Sequence, residues 1–540
     1  MARMAEKFSQ WTLLFFQFFK RDLKKIIVWL IGLGVFSGGF VSAFEELSKG
    51  QGLAGMFHTM QNPAMIAMIG TTPINDAKAY TVGAMYANEM LLFCGVFAMV
   101  IAALHVISHT RKEEEQGLTE LIRSFRVGRQ ANSLAVLLET VLINLILGII
   151  IAGLMASFGA TSIDFKGSVL FGLSIALAGI LGAALGLLFA QIMPTAAGAT
   201  GASLSVIGLF YMIRAMTDIS NGDLSKLNPL GWIYLTYPFT ENNWFYLVIG
   251  LIFSFIVLLF SFFLEGRRDY NAGYLPEKEG RKNANRALLS VLGWYIRINI
   301  GMIISWLIGF AVMGAAYGSI YQDMQSFMEG NELVKQMFVH SGGSLAESFT
   351  GTIMMVMIAL VVILPVAITN KLFTEENSGR MSQMFSTKVS RLKLYTTSIL
   401  LAVVSGITGI FLSSASLGVT AVSVMKKNAT MPIQEFFEAG FNFLPIVLFF
   451  TGIAAFCLGV APKLGKVVYA YLGYSFALSY FGGILDLPNW FSHTSALKWL
   501  PQLPVADFNF TRFIVITLIS CGLFLLGFIG YSRRDLQESA

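Results

Sequence analysis

Charge is scarce in this chain of 540 residues: 13% are Asp, Glu, Lys or Arg, whereas 55% are hydrophobic. Soluble domains carry about 25% charged residues, and the mean hydropathy here is +0.68. A soluble domain of this size could not bury so much apolar surface. The composition therefore excludes a soluble globular protein and predicts one whose solvent is the lipid bilayer.

Residues and motifs that could bind a metal, bind a nucleotide or catalyse a reaction are also few. Cys94, Cys457 and Cys521 lie in apolar runs at unrelated spacings, which excludes a disulfide framework and a zinc site built from cysteines. His105 and His109 are one helical turn apart but lack the glutamate of a zincin motif, so we expect them to mark the cytoplasmic membrane boundary. The chain has no phosphate-binding loop of the form Gly-x-x-x-x-Gly-Lys-Ser/Thr and no ABC signature. We therefore expect no catalytic residue, metal or cofactor on this chain.

Long apolar windows dominate what is present. A helix needs roughly 20 mostly apolar residues to span a bilayer, and four windows meet this requirement clearly: 26–44, 247–264, 300–317 and 513–531. Eight weaker windows lie at 91–107, 133–158, 167–191, 198–213, 353–368, 395–417, 441–460 and 467–485. The sequence thus predicts an all-α polytopic membrane protein with about twelve transmembrane helices.

Basic residues flank these windows instead of forming one face, so the net charge of +6 does not indicate nucleic-acid binding. Cytoplasmic loops are enriched in Lys and Arg, and the basic segments are the N-terminus, 111–129, 267–286, 371–393 and the pair Arg533 and Arg534. With six helices per half, all of them fall on one side. We expect a multi-pass protein of the bacterial plasma membrane with both termini in the cytoplasm.

An internal repeat is the strongest sequence signal. Two loops, here called loop N (113–129) and loop C (375–391), read EEEQGLTELIRSFRVGR and EENSGRMSQMFSTKVSR. Without a gap, at one constant separation (379 − 117 = 262), six positions are identical: Glu113, Glu114, Gly117, Ser124, Val127 and Arg129 match Glu375, Glu376, Gly379, Ser386, Val389 and Arg391.

Other landmarks recur in the same order. Trp29 begins a Trp-Leu-Ile-Gly run that recurs at Trp306 (306 − 29 = 277), Pro194 recurs as Pro462, and the Arg-Arg-Asp run at 267–269 recurs at 533–535. These matches predict two six-helix halves in one orientation, a parallel repeat, at 1–268 and 286–540 with a cytoplasmic linker at 269–285. The first outer loop is longer in the N-terminal copy. We therefore expect pseudo-symmetry to hold at loops N and C and to fail on the outer face.

Each loop starts acidic and ends basic, which suits a short helix because carboxylates favour the N-terminus and cations the C-terminus. In loop N, Leu118, Leu121, Ile122 and Phe125 recur at helical spacing, so we expect a short helix against the bilayer. An ordinary solvated loop that obeys the positive-inside rule is the alternative. Identical residues at identical positions in both copies favour a functional interpretation: a partner that binds twice.

The Glu-Glu-x-x-Gly loops, the Arg-Arg-Asp ending of each half and a Pro-containing outer segment before each last helix resemble a known family over nearly the whole chain. It is the antibiotic-export permeases of ABC transporters, in the ABCG-like superfamily, in the fused two-half form linked to polyketide-antibiotic export. The family's proline before the terminal arginine of the loop is replaced by Val127-Gly128 and by Val389-Ser390.

The resemblance implies that loops N and C are coupling elements. They would dock on two copies, or a heterodimer, of a nucleotide-binding ATPase subunit that carries ATP and Mg²⁺. The residues implied in ATPase coupling are Glu113, Glu114, Gly117, Arg129, Glu375, Glu376, Gly379 and Arg391. No substrate-binding residue can be assigned.

The segment 8–25 mixes aromatic and basic residues and predicts an amphipathic interfacial helix, with 286–297 as a poorer copy. In ABCG-like permeases such a helix packs near the coupling loop. We therefore expect a salt bridge from Glu113 or Glu114 to Arg21 or Lys24. Glu139, within its span, either bonds a neighbouring helix or contacts cargo.

Three functions remain for comparison. The resemblance favours a non-catalytic permease subunit of an ATP-driven exporter of a hydrophobic or amphipathic compound such as an antibiotic, drug or lipid. An ion-coupled secondary drug carrier is the alternative, although such carriers generally show intramembrane charges. An integral-membrane enzyme should bring His, Asp or Glu residues together at one membrane face, and the sequence shows no such group.

Overall fold

The computed structural model describes residues 6–48, 52–61, 63–276, 282–319, 321, 345–425, 431–481 and 489–535. Within these ranges the chain is helical and contains no β-strand. The predicted all-α polytopic fold is confirmed. The chain divides into two compact units, Met1–Glu279 and Gly280–Ala540, and the division falls inside the segment 269–285.

The N-terminal unit contains long apolar helices joined by short ones. In chain order they are α1 (Trp11–Gly38), α2 (Val41–Leu47), α3 (Gly52–Met60), α4 (Pro63–Ile69), α5 (Val82–His109), α6 (Arg111–Glu115), α7 (Leu118–Arg123), α8 (Ala131–Ser157), α9 (Phe165–Ile192), α10 (Ala196–Ser220), α11 (Gly222–Ser225), α12 (Gly231–Tyr234) and α13 (Trp244–Arg267). A 3-10 turn occupies Ala77–Ala79.

The C-terminal unit repeats the long elements. It contains α14 (Val291–Ser319), α15 (Leu345–Asn377), α16 (Arg380–Phe385), α17 (Arg391–Val424), α18 (Ile433–Asn442), α19 (Leu444–Val460), α20 (Val467–Phe481), α21 (Asn489–Ser492) and α22 (Phe510–Arg533). Turns of 3-10 helix occupy Arg286–Leu289, Pro462–Lys466 and Ala496–Lys498.

Eleven helical segments in the described part of the chain are long and apolar enough to cross a membrane. Each of them contains or overlaps one of the predicted windows. The remaining window, 467–485, appears as the 15-residue helix α20, and residues 482–485 lie outside the described ranges. The prediction of about twelve spans thus corresponds to eleven spans and one shorter helix.

The predicted helix at 8–25 is present from Trp11 onward, but it does not form an element of its own. Helix α1 starts at Trp11 and continues for 28 residues to Gly38, about 42 Å at the α-helical rise. No proline or glycine interrupts positions 11–31, so nothing in the sequence breaks the helix between its basic start and its apolar end. Its poorer copy is the 3-10 turn Arg286–Leu289 followed directly by α14.

Three helix pairs pack alike in the two units. Helix α1 lies along α8 as α14 lies along α17, α5 along α9 as α15 along α19, and α9 along α13 as α19 along α22. Small residues allow close approach, as is usual between membrane helices: Gly148 faces the backbone of Gly172, and Gly459 faces that of Gly527. This packing brings the end of the last helix of each unit beside its own loop.

Candidate functional site: loops N and C

The same ion pair joins each loop to the last helix of its unit. In the N-terminal unit, Arg268 Nη1 donates to Glu114 Oε1 at 2.8 Å and Nη2 donates to Oε2 at 2.5 Å. In the C-terminal unit, Arg534 Nη1 and Nη2 donate to the two oxygens of Glu376 at 2.5 and 2.6 Å. Two parallel bonds of this kind set both distance and orientation. Glu114 and Glu376 are buried.

A second arginine closes each loop on the same residue. Arg129 donates to the main-chain carbonyl of Arg268, and Arg391 donates to that of Arg534 at 2.5 Å. Both ends of each loop therefore meet just after the last helix of the unit. We call this arrangement the arginine clamp: Glu114, Arg268 and Arg129 in one unit, Glu376, Arg534 and Arg391 in the other.

The repeated glycines have a conformational role. Gly117 and Gly379 both adopt φ 72° and ψ 1°, directly before α7 and α16. No atom lies within 4 Å of where a Cβ would stand on either glycine. Space is therefore available for a side chain, and the left-handed backbone is what favours glycine. The pseudo-symmetry that the sequence predicts at the loops is confirmed.

The first glutamate of each loop has different partners in the two units. Glu113 accepts from Arg21 Nη2 at 2.8 Å and lies 3.0 Å from His109 Nδ1. Glu375 instead bonds within its own segment, to Lys371 at 3.1 Å and to Arg380 at 2.6 Å. The expected bridge from the acidic pair to Arg21 is confirmed. Loop N is thereby tied to α1 as well as to α13.

A buried polar network continues from Glu113 into the N-terminal unit. His109 Nε2 lies 3.2 Å from Asp22 Oδ2, the rings of His109 and His105 are 4.6 Å apart, and His105 Nε2 lies 3.4 Å from Glu139 Oε2. The histidines thus do more than mark a membrane boundary. Glu139 bonds a neighbouring helix, which is one of the two alternatives considered for it.

Sequence reasoning missed the role of Arg111. This side chain is fully buried; its Nη1 lies 3.1 Å from Glu114 Oε2 and its Nε donates to the carbonyl of Pro194 at 3.0 Å. The matching position in the C-terminal unit is Phe373, so the repeat offers no signal for it. Arg268 and Arg534 were visible as repeated residues, but the sequence did not show that they bond Glu114 and Glu376.

The end of loop N explains one departure from the family pattern. A Cβ on Gly128 would collide with the main chain of Lys7, and the Gly128 amide donates to the carbonyl of Ser9 at 3.0 Å. Residues 6–9 therefore cover this turn.

Near loop N, burial and the negative charge of Glu114 raise the pKa of the Tyr270 phenol. The Tyr270 ring lies 4.5 Å from the guanidinium carbon of Arg123.

Every predicted coupling residue thus belongs to the internal framework of a loop: two buried glutamates, a left-handed glycine and a terminal arginine in each unit. Their role in coupling to an ATPase stays a prediction. Among the residues that the structure describes, no three His, Cys, Asp or Glu side chains are arranged to hold a metal ion.

Apolar spanning helices in two similarly packed units, each closed by an arginine clamp, define the class of this protein: a multi-pass, all-α membrane protein. Residues 288–532 match the family described as the C-terminal domain of the multidrug efflux system permease Rv1217c. The chain is also 26% identical over 530 residues to the multidrug efflux system permease protein Rv1217c of Mycobacterium tuberculosis, covering 96% of this chain and 94% of that protein. The predicted resemblance to export permeases is confirmed.

Proposed function

We propose that the chain is the membrane-spanning subunit of an ATP-driven exporter of hydrophobic or amphipathic compounds, powered by separate ATPase subunits that bind loops N and C. The observation that carries this proposal is the arginine clamp, built twice with the same bonds. Two clamps with the same bonds are what a pair of related partner subunits would engage. The likeness to a protein named as a multidrug efflux permease supports drugs as cargo.

The arginine clamp would transmit a movement of each loop to the last helix of its unit. A bidentate arginine–carboxylate pair resists both separation and rotation, so a displacement of loop N would move the end of α13 with it. The bond between Glu113 and Arg21 would extend the same displacement to α1. Closure of two ATPase subunits on ATP would then shift helices at both loops together. Under this proposal both loops face the cytoplasm of a bacterial cell.

The direct test is reconstitution with and without an ATPase partner. The permease, co-purified with an ATPase subunit from the same organism, is placed in liposomes containing a fluorescent dye that partitions into membranes. We expect dye transport that requires ATP and is lost when the ATPase is omitted. Permease alone should hydrolyse no ATP. Equal transport without the ATPase would contradict the proposal.

Glu114 and Glu376 are poor targets for testing the docking step. Both are buried and doubly bonded to arginine, so their substitution would damage the loop framework whether or not a partner binds there. Exposed loop residues test docking without this complication.

One observation favours the second candidate, an ion-coupled carrier. Buried ionisable residues in membrane proteins often mark ion or proton pathways, and Asp22, His109 and Glu139 are buried. The half-buried His105 lies between His109 and Glu139. The group ends on Glu113 of loop N, which equally suits a structural tie. Transport driven by a proton or sodium gradient in liposomes without ATPase, and abolished by Glu139→Gln, would support the carrier.

A further inference from the structure

Loops N and C can be compared position by position because their frameworks agree. Both carry a six-residue helix after the left-handed glycine, and the residue that faces inward from that helix, Thr119 or Met381, is buried in each case. Each position from 113 to 127 is buried, half-buried or exposed in the same way as its matching position from 375 to 389. Any difference on the outer surface is therefore a difference in side-chain chemistry.

The outward face of loop N is apolar. Leu118, Leu121 and Phe125 are 42%, 66% and 74% exposed and follow one another at helical spacing. The matching positions of loop C hold Arg380, Gln383 and Thr387, which are also exposed. We call Leu118, Leu121 and Phe125 the apolar stripe. Contiguous exposed apolar side chains of this kind mark sites of interaction with protein or membrane.

The comparison favours a protein over the bilayer as the occupant of the stripe. Loop C holds its matching face with the same clamp at the end of its last helix, and that face carries the guanidinium of Arg380 and the amide of Gln383. Such groups avoid the hydrocarbon region. Both line an open cleft in which Arg380 also bonds Glu375 at 2.6 Å, so this face of loop C meets water. The equal framework holds the stripe of loop N in the corresponding position relative to α13.

The charged residues around the apolar stripe indicate what kind of partner surface would fit it. Arg123, Arg126 and Arg129 follow within the same loop, and Glu120 is the acidic residue among positions 118–129. Arg126 is exposed and has the basic counterpart Lys388 in loop C. A matching surface would offer an apolar groove with carboxylates at its rim, since interfaces pair opposite charges around an apolar centre.

We propose that the two loops bind the ATPase unequally: loop N seats Leu121 and Phe125 in an apolar, acid-rimmed groove and supplies most of the affinity, whereas loop C makes polar contacts. This inference rests on the proposed function. A few large apolar anchors commonly dominate binding energy at an interface. The two ATPase sites of the complex are then distinguishable although the loop frameworks are alike.

Exchange of residues between the loops tests the inference. Leu121→Gln with Phe125→Thr places the loop C residues on loop N, and Gln383→Leu with Thr387→Phe is the reciprocal variant. Neither exchange touches the arginine clamp. Affinity for the purified ATPase subunit is measured with the full-length permease in lipid nanodiscs, and a wild-type elution profile in size-exclusion chromatography checks the fold.

We expect the loop N exchange to weaken binding at least about tenfold, as loss of apolar anchors does, and the loop C exchange to strengthen it. Wild-type affinity in the loop N exchange would overturn the inference. So would strong quenching of a tryptophan at Phe125→Trp by brominated lipid without ATPase, since the stripe would then lie in the bilayer. If the wild-type permease itself binds no ATPase, the proposed function fails as well.

Discussion

Loops N and C share one carboxylate contact and differ in the other. Glu114 and Glu376 both bond the arginine that follows the last helix of their unit. Glu113 reaches across to Arg21 on α1, whereas Glu375 bonds Lys371 and Arg380 beside it. The shared contact is thus the one between loop and last helix.

The first helices account for the difference. Counting from the repeated tryptophan (306 − 29 = 277), Arg21 corresponds to Ile298 and Asp22 to Asn299. An isoleucine cannot bridge to a carboxylate, and in the C-terminal unit an open cleft of about 680 Å³ lies between α14 and loop C, lined by Trp294, Ile298, Lys371, Glu375, Arg380, Gln383 and Met384. Loop N is therefore braced on two sides, and loop C is braced mainly by its clamp.

The largest expected effect comes from removing the arginine of the clamp. Arg534→Ala takes a bidentate partner from the fully buried Glu376, and breaking a buried pair in this way costs roughly 3–5 kcal/mol. Arg268→Ala should cost less, about 1–3 kcal/mol, because the positively charged Arg111 remains 3.1 Å from Glu114, whereas the uncharged Phe373 stands at the matching position of the C-terminal unit. Thermal unfolding of the purified variants in nanodiscs measures both.

Arg533→Ala is the matched control for this pair. Arg533 is the exposed neighbour of Arg534, and surface substitutions usually change stability by less than about 0.5 kcal/mol. Equal losses for Arg268→Ala and Arg534→Ala would contradict the bracing role assigned to Arg111.

Substitution of the repeated glycines should affect both loops alike. Alanine in the left-handed conformation of Gly117 or Gly379 costs about 1–2 kcal/mol. No atom lies within 4 Å of the Cβ position at either glycine, so steric contacts should not make the two costs differ. We expect faster hydrogen–deuterium exchange over 113–129 in Gly117→Ala and over 375–391 in Gly379→Ala, with asparagine better tolerated than alanine. A response in only one loop would show that the frameworks are less alike than their dihedral angles indicate.

Repeated residues were the part of the site that sequence could predict. Glu114, Gly117 and Arg129 stand out because each recurs at one constant separation in loop C, and the spanning helices stand out because the bilayer demands length and apolarity. The continuity of α1 was missed because its aromatic and basic start resembles an interfacial helix in composition.

Contacts that occur in one unit but not in the other could not be predicted from the sequence. Arg111, Asp22 and the two histidines have no like counterpart in the C-terminal half, where Phe373, Asn299, Ala367 and Lys371 stand. Their burial depends on which helices pack together, which a single sequence with no periodic signal does not specify. Only the bridge from Arg21 was expected, and that expectation came from the family resemblance.

The smallest expected effect comes from making α1 resemble α14. Arg21→Ile removes a bridge whose arginine side chain is 45% exposed, so solvent screening limits the loss to about 1 kcal/mol or less, and Glu113 keeps His109 at 3.0 Å. A double-mutant cycle with Glu113→Gln, measured by thermal unfolding, isolates this bond. A coupling energy of about 3 kcal/mol or more would place it among buried pairs and would mean that α1, as well as α13, rigidly carries the motion of loop N.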